Sequence, residues 1–524
     1  MANMNPSTHL EKERKFDGAT GADLPALDGL PGVAEVSTAT PEDLDAVYYD
    51  TAGLLLLSHG ITLRRRTGGH DAGWHLKLPV GPDTRSELQL PLRAGRPGKV
   101  PRELALRVRV YTRGEVLAPV VHLHTRRHRT LLLDGSRRAL AEVARDSVSA
   151  RNLRLPTAAV GSPGGSGLST WTEVEAELVK GGTTLLDAVE QRLSLAGLRR
   201  SASSSKLARA LGHDPAATAR ADARTAFRTA GPGPGSIGAA VTAVLREQRL
   251  QLLALDPAVR TDEPDAVHRM RVTVRRLRSA LRSHRGLFTD AGTARIAELN
   301  EELRWLGTVL GEARDQEVLG ALLTDAIARL GPEECPGPVA ERVAAWAAAG
   351  YRRSWTAAVG VLDGPRYFAL LDELERLTDR PPLRGRAGGA KATRAFDECL
   401  RRERKRVRGR LAAALACSAA DQRDIALHEA RKAAKRARYA GEGAQATLGR
   451  PARRFARRMK EVQELLGVRQ DALLACRELP QLAAVAHAAG EPGFGYGVLY
   501  AAQQAVITRS DAGLPAALSG LKSH

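Results

Sequence analysis

At 524 residues the chain exceeds what one ordinary hydrophobic core supports, so roughly two to four domains are expected. Lys plus Arg outnumber Asp plus Glu by 79 to 59, and the formal net charge of +20 favours a polyanionic partner: nucleic acid, an anionic membrane surface or a phosphate polymer. Cys335, Cys399, Cys417 and Cys476 lie far apart without a CxxC pair, which argues against a disulfide framework or thiolate zinc site and fits a reducing compartment. Met1–Thr8 is polar, and no apolar run approaches the ~20 residues of a membrane span, so a cytoplasmic protein is expected.

Up to about residue 215, short segments alternate polar and apolar residues between Gly, Pro and Asp clusters, the pattern of an antiparallel sheet. Strands are predicted at His9–Phe16, Gly60–Arg66, Gly73–Pro79, Arg85–Leu92, Val120–Leu133, Ala139–Asp146 and Trp171–Val179. Gly161–Gly167 reads as a loop, and Thr184–Gly197 as a helix. The Gly-Pro run inside Asp214–Gly235 marks a linker at 213–235. Beyond it, Ala, Leu, Arg and Glu recur with helical periodicity, broken near Gly331–Pro338 and Arg380–Gly389. This half also repeats itself. His268-x-x-Arg271-x-x-x-Arg275-Arg276-x-Arg278 recurs from His428 with Arg431, Lys435, Arg436 and Arg438 at matching positions. Leu310-Gly311-x-x-Arg314-Asp315 recurs as Leu466-Gly467-x-x-Gln470-Asp471, read as a Leu-Gly turn followed by a cap or ion-pair acid.

On a strand, residues two apart share a face. Glu11, Glu13 and Lys15 therefore point one way, as do Arg64 with Arg66, His75 with Lys77, Arg85 with Glu87, and Glu173, Glu175 with Glu177. Alternation ordinarily means a solvated face, but Glu-x-Glu on two strands and Arg-x-Arg on another is an unusual choice for one. If these faces line a closed barrel, they require a polyanion and a cation to balance them. Carboxylates supply the oxygen ligands that Mg²⁺ or Mn²⁺ prefers, and Arg or Lys holds phosphoryl oxygens.

Glu11-Lys12-Glu13-Arg14-Lys15-Phe16 resembles the ExExK signature of the CYTH, or triphosphate tunnel metalloenzyme, superfamily. The resemblance continues through Tyr49-Asp50-Thr51, Leu63–Arg66, Trp74–Pro79 and Glu173–Leu178 to Ser205-Lys206, covering residues 8–212. It implies an eight-stranded antiparallel tunnel that binds a linear triphosphate with one or two divalent cations. It further implies that Glu11, Glu13, Glu173 and Glu175 hold metal, that Lys15, Arg64, Arg66, Lys77, Arg126 and Lys206 bind phosphate, and that Glu11, Glu13 and Lys15 are catalytic. The strand around Arg126 departs from the family. His122 and His124 stand where relatives often carry Arg, and Arg127 and Arg129 on the opposite face leave its register ambiguous.

On a helix over Ala266–Phe288, the residues His268, Arg271, Arg275, Arg278 and Arg282 form one cationic stripe, roughly 20 Å long. Met270, Val274, Leu277 and Leu281 form an apolar stripe beside it. An ordinary surface helix mixes Glu with Lys, because like charges repel at this spacing. Two one-signed stripes point to a ligand with repeated negative charge. These motifs resemble a CHAD domain over residues 236–515, which implies duplicated four-helix bundles around a basic pore for inorganic polyphosphate. By that resemblance His268, Arg271, Arg275, Arg278, His428, Arg431, Lys435 and Arg438 bind it.

The expected function is therefore metal-dependent hydrolysis of triphosphate or polyphosphate, with a non-catalytic, granule-targeting polyphosphate binder as the alternative. Thiamine triphosphate, or ATP in a cyclase reaction, also suits such a tunnel. Aromatic residues make up 4% of the chain and do not interleave with the basic stripes, which argues against base stacking and hence nucleic acid.

Overall fold

A computed structural model describes residues 7–17, 24–81, 83–154, 167–212, 233–331 and 333–521. The chain divides into two compact units, Met1–Thr229 and Ala230–His524. The expected loop at 161–167 and linker at 213–235 lie largely outside the described residues.

The first unit contains β1 (Ser7–Asp17), β2 (Glu35–Thr38), β3 (Glu42–Asp50), β4 (Thr62–Thr67), β5 (Gly73–Gly81) and β6 (Thr84–Pro91). They are followed by β7 (Ala118–Leu133), β8 (Ala139–Asn152), β9 (Leu168–Leu178) and β10 (Arg199–Arg200). The order β1-β6-β5-β4-β3-β7-β8-β9 closes where β9 pairs antiparallel with β1, giving an eight-stranded barrel without open edges. β2 adds to β7 and β10 to β1 outside that ring.

The barrel is inside out. Its apolar residues face outward, under helices. Phe16, Val143, Val174 and Ala176 pack beneath Leu186 and Val189 of α3 (Thr183–Leu195). Leu63, Trp74, Leu76 and Leu88 pack with Leu56 of α1 (Leu55–Ser58) and Leu104 of α2 (Arg102–Thr112). The exception is α4 (Lys206–Ala210), whose Leu207 and Ala208 pack with Tyr48 and Val121 on the inward face of β3 and β7. The charged face of the strands is left to the interior.

The second unit is helical: α5 (Ile237–Arg260), α6 (Ala266–Ser283), α7 (Asp290–Ile327), α8 (Val339–Leu362), α9 (Pro365–Asp379) and α10 (Gly385–Gly388). After these come α11 (Ala392–Ala416), α12 (Ala420–Gly443), α13 (Gln445–Leu448), α14 (Arg450–Ala488) and α15 (Phe494–Gly520). α5–α8 and α11, α12, α14, α15 form two four-helix sets in the same order, with third helices of 38 and 39 residues. The sets share a core in which Leu323 and Val343 meet Leu479 and Leu499.

The expected Leu-Gly turns are not turns. Gly311 and Gly467 lie inside α7 and α14. A Cβ on Gly311 would stand 3.4 Å from Arg271 Nη2, and one on Gly467 would stand 3.8 Å from Arg431 Nη2. Each glycine makes room for an arginine crossing from the neighbouring helix, at a cost of about 1 kcal/mol in helix propensity.

A tight turn after β4 gives a direct test of the barrel. Gly68 has φ +78°, and a Cβ there would lie 2.1 Å from the Asp43 carbonyl oxygen. Gly68→Ala is expected to destabilise the first unit by about 2 kcal/mol or more, read as a shifted urea midpoint.

Candidate functional site

Inside the barrel, β1 presents Glu11, Glu13 and Lys15, while β9 presents Glu173, Glu175 and Glu177. Register places Lys15 opposite Glu175, Glu13 opposite Glu177, and Glu11 opposite Arg85 of β6. Arg64 and Arg66 of β4, Lys77 of β5, and Arg127 and Arg129 of β7 line the same cavity of about 520 Å³.

The acids and bases are interlocked. Ser205 caps α4 by accepting from the Ala208 amide at 3.1 Å, which sends Lys206 into the barrel. There its Nζ lies 2.9 Å from Asp146, 2.8 Å from Glu173 and 2.7 Å from Glu175. Arg127 donates twice to Asp146, at 2.8 and 2.6 Å, and once to Glu175 at 2.6 Å. Lys15 pairs with Glu175 and lies 3.3 Å from Glu13, while Lys77 lies 2.5 Å from Glu11. Burial opposes ionisation of Glu175, yet Lys15, Lys206 and Arg127 hold its carboxyl well below the usual range. Glu13, likewise buried, is drawn down to about 2 by Lys15 and Lys77.

Two further features of the cavity concern ligands. Burial, then Arg64 and Arg127, bring the Arg66 guanidinium down to about 9, the mark of crowded positive charge. The buried Nε atoms of Arg64, Arg66 and Arg129 lack hydrogen-bond partners among the described residues. This wall suits an anion. Across from it, burial and then a hydrogen bond with Glu87 push Glu11 up, the sign of two carboxyls crowded together where a cation would relieve them. Glu11, Glu87 and His9 offer ligand atoms within 4.8 Å of one another, and so do Asp146, Glu173 and Glu175. These donor sets are rich in the hard carboxylate oxygens that divalent cations take. The first set is the less occupied: Lys206 Nζ touches all three acids of the second, whereas in the first Lys77 touches Glu11 and His75 touches Glu87.

In the helical unit, α6, α7, α12 and α14 enclose a basic cavity of about 460 Å³. His268, Arg271 and Arg275 line it from one repeat; His428, Arg431, Lys435 and Arg438 line it from the other. Two acids answer them. Asp315 lies 3.1 Å from Arg271, and Asp471 lies 3.5 Å from Arg431. The expected ion pairs therefore form, though in mid-helix and within the cavity. Burial, then Arg275, Arg431 and Arg271, bring the Lys435 amine down to about 6.

Comparison with known proteins places this architecture. Residues 9–211 match the CYTH domain model, and residues 243–480 match the CHAD domain model. Uncharacterized proteins from two Mycobacterium tuberculosis strains are 39% identical over 525 residues, covering 98% of this chain and 97% of theirs. The chain belongs to the CYTH–CHAD family. A solved CHAD domain from Ricinus communis is 25% identical, with TM-score 0.45, covering 56% of this chain and 94% of that one. PptA from Streptomyces chartreusis is 19% identical, also with TM-score 0.45, covering 54% of this chain and 99% of its own.

Within the CYTH tunnel, Lys15, Arg64, Arg66, Lys77 and Lys206 come together, with Glu11, Glu13, Glu173 and Glu175 beside them. Arg126 does not. It is exposed on the outer face, paired across the strands with Asp43, and Arg127 takes the inward position. His122 and His124 share that outer face, 2.8 Å from Asp45 and 3.8 Å from Asp43 respectively, so the tunnel loses no charge through them. In the CHAD cavity, Arg278 is the residue that does not join. α6 and α12 touch just beyond Arg275, where Ser279 Oγ donates to the Arg436 carbonyl at 3.1 Å. Arg278 instead feels Arg282, Glu301 and Arg304. Sequence reasoning left Arg85, Glu87, Arg127, Arg129 and Asp146 without roles, although Arg85-x-Glu87 already shared a face in the alternation.

Removing Arg127 takes the bidentate partner from buried Asp146 and one of three cations from Glu175, leaving Lys206 on both acids and Lys15 on Glu175. Arg127→Met is expected to cost about 3–5 kcal/mol of first-unit stability in urea denaturation. Arg126→Ala should stay within about 0.5 kcal/mol.

Proposed function

We propose that this protein hydrolyses phosphoanhydride bonds of inorganic triphosphate or polyphosphate in its tunnel, using Mg²⁺ or Mn²⁺, and holds polyphosphate in its helical cavity. On this reading residues 8–212 form the catalytic domain, 213–235 a linker and 236–515 the binding domain. The observation that carries the proposal is one enclosed cavity with an arginine wall, Arg64, Arg66, Arg127 and Arg129, facing a carboxylate wall. Guanidinium groups would hold phosphoryl oxygens by charge-assisted hydrogen bonds and align the chain. Glu11 and Glu87, with Glu13 beside Glu11 on the same face, are the best placed to hold the metal. Glu173 and Glu175 could join a second site if Lys206 withdrew. A bound divalent cation would polarise a phosphoryl oxygen and neutralise developing charge. Lys15, between Glu13 and Glu175, is placed to donate to a phosphoryl oxygen. Tethering would raise the local polyphosphate concentration at the tunnel.

A second reading has its own support. The Lys206 ammonium sits where a cation would among Asp146, Glu173 and Glu175, as expected of a tunnel that binds phosphate without turnover. Such a protein could serve to dock on polyphosphate granules.

The purified chain, given Mg²⁺ or Mn²⁺ and offered triphosphate, longer polyphosphate or ATP, is expected to release phosphate. Substituting both Glu11→Ala and Glu13→Ala should lower that rate by roughly 10²-fold or more. Tight binding with no release from any of the three would establish the second reading.

The helical cavity predicts a proton linkage. Lys435 faces Arg271, Arg275, Arg431 and Asp471, and with its amine near 6 it is largely neutral at pH 7.5. A polyanion raises that value, so binding at pH 7.5 should take up a proton, and affinity should fall as pH rises above 6. Calorimetry in buffers of different ionisation enthalpy measures the uptake, and Lys435→Met should reduce it, leaving only the share of His268 and His428 in the same cavity.

A further inference from the structure

The helical unit contains a second cavity, of about 410 Å³, where α5 and α6 of one repeat meet α11 and α12 of the other. Its chemistry is unlike that of the basic cavity. Val241, Val244 and Phe396 give it apolar walls. Gln248 lines it while only 7% exposed, and its Oε1 has no hydrogen-bond partner among the described residues. Ser283 Oγ, also lining the cavity, is likewise buried and unpartnered. Beside it stands His284, which packs edge-on to Phe396 with ring centroids 5.3 Å apart. Burial and Arg402 bring this imidazole down to about 4, so it is neutral and offers one acceptor nitrogen. Glu442 is already engaged by Arg276 at 2.8 Å and Arg438 at 3.2 Å. Glu247, exposed and also lining the cavity, has no ion-pair partner among the described residues.

A buried amide oxygen without a donor costs free energy, and native structures rarely leave one so. Here the unpartnered buried groups accept hydrogen bonds, the walls between them are apolar, and the remaining charge is an exposed carboxylate.

We propose that this cavity binds a short aliphatic amine carrying a second donor group at its far end. The ammonium meets Glu247, the methylene stem lies along Val241, Val244 and Phe396, and the far N–H or O–H donates to Gln248 Oε1 or Ser283 Oγ. A hydroxyl at the far end avoids burying a second charge. The site is independent of the tunnel and of the polyphosphate reading.

Calorimetric titration of the full-length chain with 4-amino-1-butanol, 1,4-diaminobutane and butylamine tests the proposal. A two-ended compound should bind saturably at one site and about tenfold more tightly than butylamine, the worth of one good buried hydrogen bond. Gln248→Leu should reduce its affinity to the butylamine level, without lowering the melting temperature of the ligand-free protein. If that variant fails to fold, Ser283→Ala should weaken the same compounds selectively. The proposal is overturned if no probe binds saturably, if butylamine binds as tightly as the two-ended compounds, or if the folded variant binds them unchanged.

Discussion

Opposite charges buried against one another inside a closed sheet are the constraint on which the first unit depends. Asp146, Glu173 and Glu175 gather around the Lys206 ammonium, and the Arg127 guanidinium bridges Asp146 and Glu175. Such pairing does not make the barrel especially stable, since desolvation consumes much of the attraction. It does fix the side chains in place. The hydrophobic contribution comes from outside, where Phe16, Trp74 and their neighbours lie beneath α1, α2 and α3. The inversion frees the interior for polar chemistry while the core forms on the rim.

The helical unit arranges its charges in the opposite way. Charges in its basic cavity are crowded rather than balanced: Arg275, Arg431 and Arg271 press on Lys435, with the Asp471 carboxylate as counterweight. Like charges held together raise the energy of the cavity, and on the proposed reading a polyanion would relieve it. The long helices supply the rigidity this needs. Gly311 and Gly467 let Arg271 and Arg431 cross close to the neighbouring backbone, so one interhelical contact is built twice. The duplication is imperfect. Arg438 faces the cavity and its counterpart Arg278 does not, because α6 and α12 close on one another at Ser279.

On the proposed reading the two units divide one electrostatic task. A compensated tunnel would position a small number of phosphoryl groups and a cation, whereas a crowded cavity would favour an extended chain of negative charge. The acceptor-lined cavity between the repeats belongs to neither arrangement, and Tyr439 lines both it and the basic cavity.

From the residues alone one could read the change from period two to helical periodicity, the repeat of the His-Arg stripe, and charged strand faces bearing both signs. Those are local properties, set by which side chains recur at which spacing. Some elements escaped this reading: β3, with Glu42, Asp43 and Asp45, carries too little β-branched character to stand out, and α2 is short. Alternation also defines two faces without saying which is inside. Arg126 and Arg127 were equally eligible until closure of β9 onto β1 and pairing of β7 with β3 and β8 chose Arg127. Likewise Leu-Gly reads as a turn until a guanidinium from another helix occupies the space that glycine leaves. Glu87 gained its partner Glu11, and Lys206 its three acids, through contacts between strands and helices far apart in sequence. The chain's chemistry determined what kinds of groups would meet; only long-range closure and packing decided which of them did.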